Sequence, residues 1–217
     1  MIPIKDDNPT RTVPFINYAL IAINVGVSFY QATLPPHAAK AFLMANATVP
    51  MNIPAFLAGY LGFKMAFYPM FTSMFLHGGL MHLLGNMLFL YVFGDNVEDY
   101  FGHVPYLLFY LFCGVGSSFV HVLFNWNSSL PAIGASGAIS GVMGAYAVLY
   151  PRARVLMWFL IFLLPFPAWF VLGYWFVLQF IEGIGGLGAA NTGGVAFWAH
   201  IGGFILGAVI AWVVKKR

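Results

Sequence analysis

Val104–Phe124 reads VPYLLFYLFCGVGSSFVHVLF and carries no formal charge. A helix rises 1.5 Å per residue, so about 20 apolar residues cross the roughly 30 Å hydrocarbon core of a bilayer. The stretch reads as a membrane span, and the sequence around it repeats the pattern. No Asp, Glu, Lys or Arg lies between Arg11 and Lys40, between Lys64 and Asp95, or between His103 and Pro151; from Val155 to Val214 the one charged residue is Glu182. Charged residues make up 7% of the 217, and hydrophobic ones 61%. A soluble domain is roughly 25% charged, about 54 residues at this length. The composition excludes a soluble globule and predicts an all-α, polytopic membrane protein.

A net charge of +3 and a pI near 9.0 do not point to nucleic acid, because the basic residues sit at span ends and form no patch interleaved with aromatics. The single cysteine, Cys113, excludes an internal disulfide framework and a thiolate metal cluster. Lys5 and Arg11 before an apolar stretch give the first 30 residues a faint leader-like look, but that stretch is long and more spans follow, so a retained first helix is expected.

Six spans are predicted, at about 13–33, 70–93, 104–124, 136–150, 155–180 and 194–214, the fourth being short and the fifth kinked at Pro165 and Pro167. An even number puts both termini on one side. Lys5, Arg11, Arg152, Arg154, Lys215, Lys216 and Arg217 against Lys40 and Lys64 make that side the cytoplasm, with the acidic Gly94–His103 stretch as a cytoplasmic loop. Residues 34–69 form a long outer loop whose apolar stretches, Ala38–Ala45 and Ile53–Phe67, are expected as short helices lying in the interface. Gly183–Gly194, with six glycines in twelve residues, is either a mobile lid or a loose connector. No soluble module or nucleotide fingerprint is visible, so residues 1–217 are expected to form one membrane domain.

Helix rise then places the polar residues in depth. Ser136 lies about 22 Å from the Pro151 turn, His200 about 22 Å from Lys215, and His82 about 20 Å from Asp95. Three helices therefore carry Ser, His and His at one level, where hydrogen-bonding groups are costly and default to functional hypotheses. His82 and Asn86 are i,i+4 and share a face, whereas His77 and His82 point about 140° apart, against a two-histidine metal face. Ser136, Ser140 and Gly144, with Gly137 and Gly141 beside them, form one small-residue stripe; Ala199, Gly203, Gly207 and Ala211 form another. Taken alone such stripes are ordinary helix-packing surfaces. Here they also allow Ser136 Oγ to meet the His200 ring, which makes His200 a candidate base for a serine nucleophile, a dyad with no carboxylate on the sixth span. Asn86, His82 and the Ser136 backbone N–H at a helix start have the right chemistry to stabilise an oxyanion.

With these pieces the chain resembles the rhomboid family of intramembrane serine proteases. The matching residues are His77-Gly-Gly-Leu-Met-His82-Leu-Leu-Gly-Asn86, Gly134-Ala-Ser136-Gly137 and Ala199-His200-Ile-Gly-Gly203 followed by Gly207. Gly94-x-x-x-Glu98-x-x-x-Gly102 and, in the fifth span, Pro167-Ala168 with Gly173, Trp175-Phe176 and Gln179 extend the likeness over nearly the whole chain. The resemblance implies a six-helix bundle with an interfacial first loop, Ser136 as nucleophile, His200 as base, Asn86 and His82 in the oxyanion region and His77 as support. It implies single-span membrane proteins as substrates, cut near the outer end of their helix. It further implies membrane lipid as surroundings, and neither metal, cofactor nor nucleic acid. A multi-pass protein of a bacterial inner membrane is expected.

Two departures stand out. Some bacterial members carry tyrosine four residues after the nucleophile, where this chain has Ser140, so the His200 ring must be positioned by something else, Trp198 or another aromatic. The first loop also lacks a Trp-Arg pair found in some members. Glu98 is expected to cap or brace its loop, and His103 and His121 to be structural or interfacial. The rival readings are an inactive rhomboid-like scaffold that binds transmembrane helices, a small transporter, and a metal-dependent hydrolase.

Overall fold

The structure, a computed structural model, describes residues 2–185 and 196–215. A short strand, β1 (Ile2–Asp6), precedes helix α1 (Phe15–Thr33). No side chain of its own caps α1. Both oxygens of the buried Glu98 do so from another helix, accepting the N–H of Ile16 at 3.0 Å and of Asn17 at 2.7 Å, which satisfies groups that a helix start leaves without intrahelical partners. Prolines 35 and 36 end α1 and open α2 (Pro36–Asn46). Then come α3 (Asn52–Leu57), α4 (Phe63–Thr72) and a 3-10 turn at Ser73–Phe75.

The second expected span needs correction. It does not begin at 70; α4 with its 3-10 turn and α5 (Leu80–Phe101) meet at 78°. The physical reason is the Gly78-Gly79 pair, which breaks the helical run just where hydropathy continues. Nor is Gly94–His103 a loop. α5 continues through Phe101, Gly102 turns the chain at φ +82°, and α6 (His103–Phe124) starts at once.

The fifth span is corrected more deeply. After α7 (Ser136–Leu149) the chain forms an antiparallel hairpin of β2 (Arg154–Phe159) and β3 (Phe162–Pro167), and only then α8 (Ala168–Gly185). The three strands make one sheet in the order β1-β2-β3, so the molecule is mostly helical rather than all-α. Val155 pairs with Phe166, Leu156 with Pro165 and Phe159 with Phe162. Two prolines two residues apart would delete N–H groups inside a helix, whereas an edge strand tolerates them. The last helix is α9 (Phe197–Val214). Of the expected glycine-rich 183–194 segment, residues 186–194 lie outside the described residues.

Among the described residues four helices are long and apolar enough to cross a membrane, α1, α6, α8 and α9; the bent pair α4–α5 makes a fifth candidate, and α7 is shorter. This is a multi-pass membrane protein. The short helix is the central one, with only Ser136, Ala147 and Val148 of its residues not buried. The predicted stripes are its seam with α9. A Cβ on Gly203 would strike the Gly137 carbonyl oxygen, one on Gly207 that of Gly141, and one on Gly144 that of Phe204. Backbones in direct apposition are what glycines permit in lipid. At the end bearing the described termini, Asn17 ties three helices: its Nδ2 donates to Leu90 O at 3.0 Å, and its Oδ1 accepts Tyr106 OH at 2.8 Å.

Candidate active site

Ser136 is the first residue of α7, and its N–H lies in the turn where helix donors lack intrahelical acceptors. The seam with α9 brings His200 opposite, and His200 Nε2 lies 2.7 Å from Ser136 Oγ. The other ring nitrogen, Nδ1, lies 2.6 Å from Gln179 Oε1 on α8. An amide oxygen only accepts, so Nδ1 carries the hydrogen and Nε2 presents its lone pair to the serine hydroxyl. His200 is 7% exposed; its two nitrogens meet a hydroxyl and an amide, and no carboxylate.

Gln179 is the residue that sequence reasoning missed. It stood only among the residues of the family-like pattern, with no role attached. The available signal was a carboxamide deep in an apolar helix, which has to find a partner. The Trp198 option for ring positioning is corrected: Trp198 stacks on Phe124, with centroids 3.7 Å apart. Trp175 is the aromatic beside His200, at 5.8 Å and 35°. Ser140 donates to the Ser136 carbonyl at 2.6 Å.

Across from Ser136, His82 and Asn86 project from one face of α5. Together with Ser136, His200 and Trp175 they line a cavity of about 230 Å³. Gly134 makes this approach possible. It has φ +122°, and a Cβ there would lie 2.8 Å from the His82 ring and 3.6 Å from Asn86 Nδ2. Asn86 is buried, and among the described residues its Nδ2 has no acceptor, so this amide is available to a group entering the cavity.

His77 lies elsewhere. Its Nδ1 pairs with Ser28 Oγ on α1 at 3.2 Å, and its ring meets the edge of His82 with centroids 5.2 Å apart. It backs His82 and does not line the cavity with Ser136. His121 contacts Asn125, the residue that follows its helix, and His103 pairs with Glu98 at 2.5 Å. Among the described residues no group of three or more His, Cys, Asp or Glu is arranged to hold a metal ion.

The sequence profile of the Rhomboid domain matches residues 64–217 of this chain. The chain belongs to the rhomboid family. It is 29% identical over 149 residues to Rhomboid protein 1, mitochondrial, of Saccharomyces cerevisiae, covering 66% of this chain and 41% of that protein. It is 32% identical over 156 residues to Rhomboid-like protein 11, chloroplastic, of Arabidopsis thaliana, covering 70% and 54%. It is 32% identical over 154 residues to RHOMBOID-like protein 1 of Arabidopsis thaliana, covering 71% and 36%. The match thus spans about half or less of these rhomboid relatives. Two of the three carry organelle names, and none supports the expected bacterial inner membrane.

Proposed function

We propose that this rhomboid is an intramembrane serine endopeptidase acting on single-span transmembrane proteins, with Ser136 as nucleophile and His200 as general base. The observation that carries the reading is the 2.7 Å approach of His200 Nε2 to Ser136 Oγ. In the reaction, the Ser136 Oγ–H proton passes to Nε2 as Oγ attacks the substrate carbonyl carbon. The ring becomes an imidazolium whose Nδ1–H stays on Gln179 Oε1. The tetrahedral oxyanion accepts hydrogen bonds from the Ser136 backbone N–H, Asn86 Nδ2 and the His82 ring, donors gathered around one cavity beside Ser136 Oγ. His200 then gives its proton to the leaving amine, and water attacks the acyl-enzyme by the same route in reverse.

A continuous substrate helix hides its carbonyls, so the scissile segment must unwind near the membrane face to which Ser136 is closer. The basic residues favour both termini in the cytoplasm, and the reading takes six crossings by one membrane domain, with α4–α5 as one bent crossing and α7 as a short one. Helices α2 and α3 of the first loop then lie in the outer interface. The site needs no cofactor. An inactive helix-binding scaffold would not require a serine and an imidazole held at hydrogen-bond distance.

The test is labelling with a fluorophosphonate probe in detergent. Wild type is expected to be labelled and Ser136→Ala not. Equal labelling of both, or labelling of neither while a reporter substrate is cleaved, overturns the assignment.

A further inference from the structure

Away from the helices, the turn of the β2–β3 hairpin presents an unbroken run of exposed apolar side chains. Every residue from Trp158 to Leu164 is a large exposed hydrophobic, with Leu160 74% and Ile161 85% exposed. At the other end of the same sheet Val155 and Met157 are buried in the helix core. The sheet is fastened at its base and presents its tip.

Three further observations say what covers that tip. Leu160 holds φ +54° between the paired Phe159 and Phe162. Asn or Gly takes this conformation at little cost and leucine does not, so an apolar side chain is kept where the backbone favours another.

The open edge is also blunted. N–H groups of an edge strand alternate between neighbour and surroundings. Proline has none to offer β2, so Pro165 and Pro167, with Leu163, occupy the outward parity. Two of those three positions carry no donor, so only Leu163 presents an outward N–H, and the outward carbonyls are left to water and headgroups at the interface.

Finally, the tip is continuous with the exposed surface of a spanning helix. Phe166 stacks on Phe170 of α8 at 5.5 Å, and Phe170 on Tyr174 at 6.5 Å. The base carries Lys5, Arg152 and Arg154 beside Asp6, which accepts from Tyr146 OH, and Asp7, which accepts the Arg154 N–H, and no acidic residue lies between 155 and 181. An apolar tip with a basic base is the pattern of an interfacial anchor.

We infer that the hairpin tip Trp158–Leu164 inserts into the membrane leaflet on the side bearing the described chain ends, with Lys5, Arg152 and Arg154 against lipid phosphates. β3 runs directly into α8, so the anchor holds the foot of the helix whose upper part carries Gln179. The inference rests on the multi-pass fold alone and stands whether or not the protein cleaves a substrate.

The full chain is reconstituted in phosphatidylcholine–phosphatidylglycerol vesicles with a nitroxide on Ile161→Cys, on Leu163→Cys or, for comparison, on Arg11→Cys. The native thiol, Cys113, is buried. Labels at 161 and 163 are expected to be relaxed by lipid-soluble oxygen and to lose relaxation by an aqueous nickel chelate, with the reverse at 11. Nickel access at 161 and 163 equal to that at 11 overturns the inference. Spin coupling between copies at 161 that survives dilution with lipid also overturns it, because the tip would then cover a second copy of the chain.

Discussion

Gln179 Oε1 accepts the Nδ1 hydrogen of His200 across the α8–α9 interface at 2.6 Å. A neutral amide on one helix thereby fixes the tautomer of an imidazole on the next, with the opposite nitrogen facing Ser136 Oγ. The two bonds make the orientation of the ring depend on where α8 stands.

Gln179→Leu keeps the bulk and removes the acceptor, leaving the ring free to turn. General-base catalysis contributes about 10²–10⁴-fold, and losing orientation alone forfeits part of that. A fall in kcat of roughly 10- to 100-fold is expected, with KM little changed. Gln179→Glu restores an acceptor and should recover most of the rate with an altered pH profile, an effect that a purely structural role would not give. Reporter cleavage in detergent, with kcat and KM resolved, checks this; a Leu variant with wild-type kcat sinks it.

Among the described residues, Asn86 offers a buried donor with no acceptor. Such a donor suits an atom whose negative charge appears only in the transition state. Removing one oxyanion donor costs about 10²–10³-fold in kcat. Asn86→Ala is expected to show that loss with KM little changed and with fluorophosphonate labelling slowed rather than abolished. A variant that raises KM and spares kcat would assign Asn86 to substrate binding instead.

The meeting of Ser136 with His200 was legible in the sequence because it rests on two regular helices of known rise and on stripes of small residues. Depth arithmetic needs nothing more. The role of Gln179 was not legible, since it depends on how α8 is rotated against α9, and hydropathy is silent on that. Residues 155–167 misled for a related reason. Lipid-facing strand and lipid-facing helix are both apolar, and the only local signals for the hairpin were Pro165 and Pro167, which a kinked helix also accommodates. The start of α5 was misplaced because Leu76–Gly79 interrupts the helix without interrupting the apolar run. Glu98, expected to cap or brace its own loop, caps the start of α1, a partner 81 residues away in sequence.

Asp6 accepts a hydrogen bond from Tyr146 OH beside the sheet. Burial pushes its carboxyl above the usual range, and the bond from Tyr146 only partly opposes this. A raised native value means that the folded state holds the proton more tightly than the unfolded chain. The stability gained is complete below the ordinary carboxylate range near pH 4 and is lost as pH rises through the folded value. Asp6→Asn cannot ionise. Its unfolding midpoint relative to wild type should therefore climb from about pH 4 towards neutrality, as measured by thermal unfolding in detergent. A deficit of the Asn variant that widens with rising pH would contradict this.

The α7–α9 seam sets the distance on which the Ser136–His200 contact depends, so it links packing to chemistry. A Cβ on Gly207 would collide with the Gly141 carbonyl oxygen, which belongs to a helix backbone and cannot swing aside. Gly207→Val should lower stability by about 1–3 kcal/mol, the usual cost of overpacking, and push α9 away from α7. Gly173 on α8 has nothing within 4 Å of its added Cβ, so Gly173→Ala should be neutral or stabilise by about 0.5–1 kcal/mol through helix propensity. Thermal unfolding in detergent separates the two. Fluorophosphonate labelling below the unfolding midpoint then asks whether the widened seam has parted serine from histidine. Unfolding of Gly207→Val at the wild-type temperature would mean that the seam yields elsewhere and does not hold the pair together.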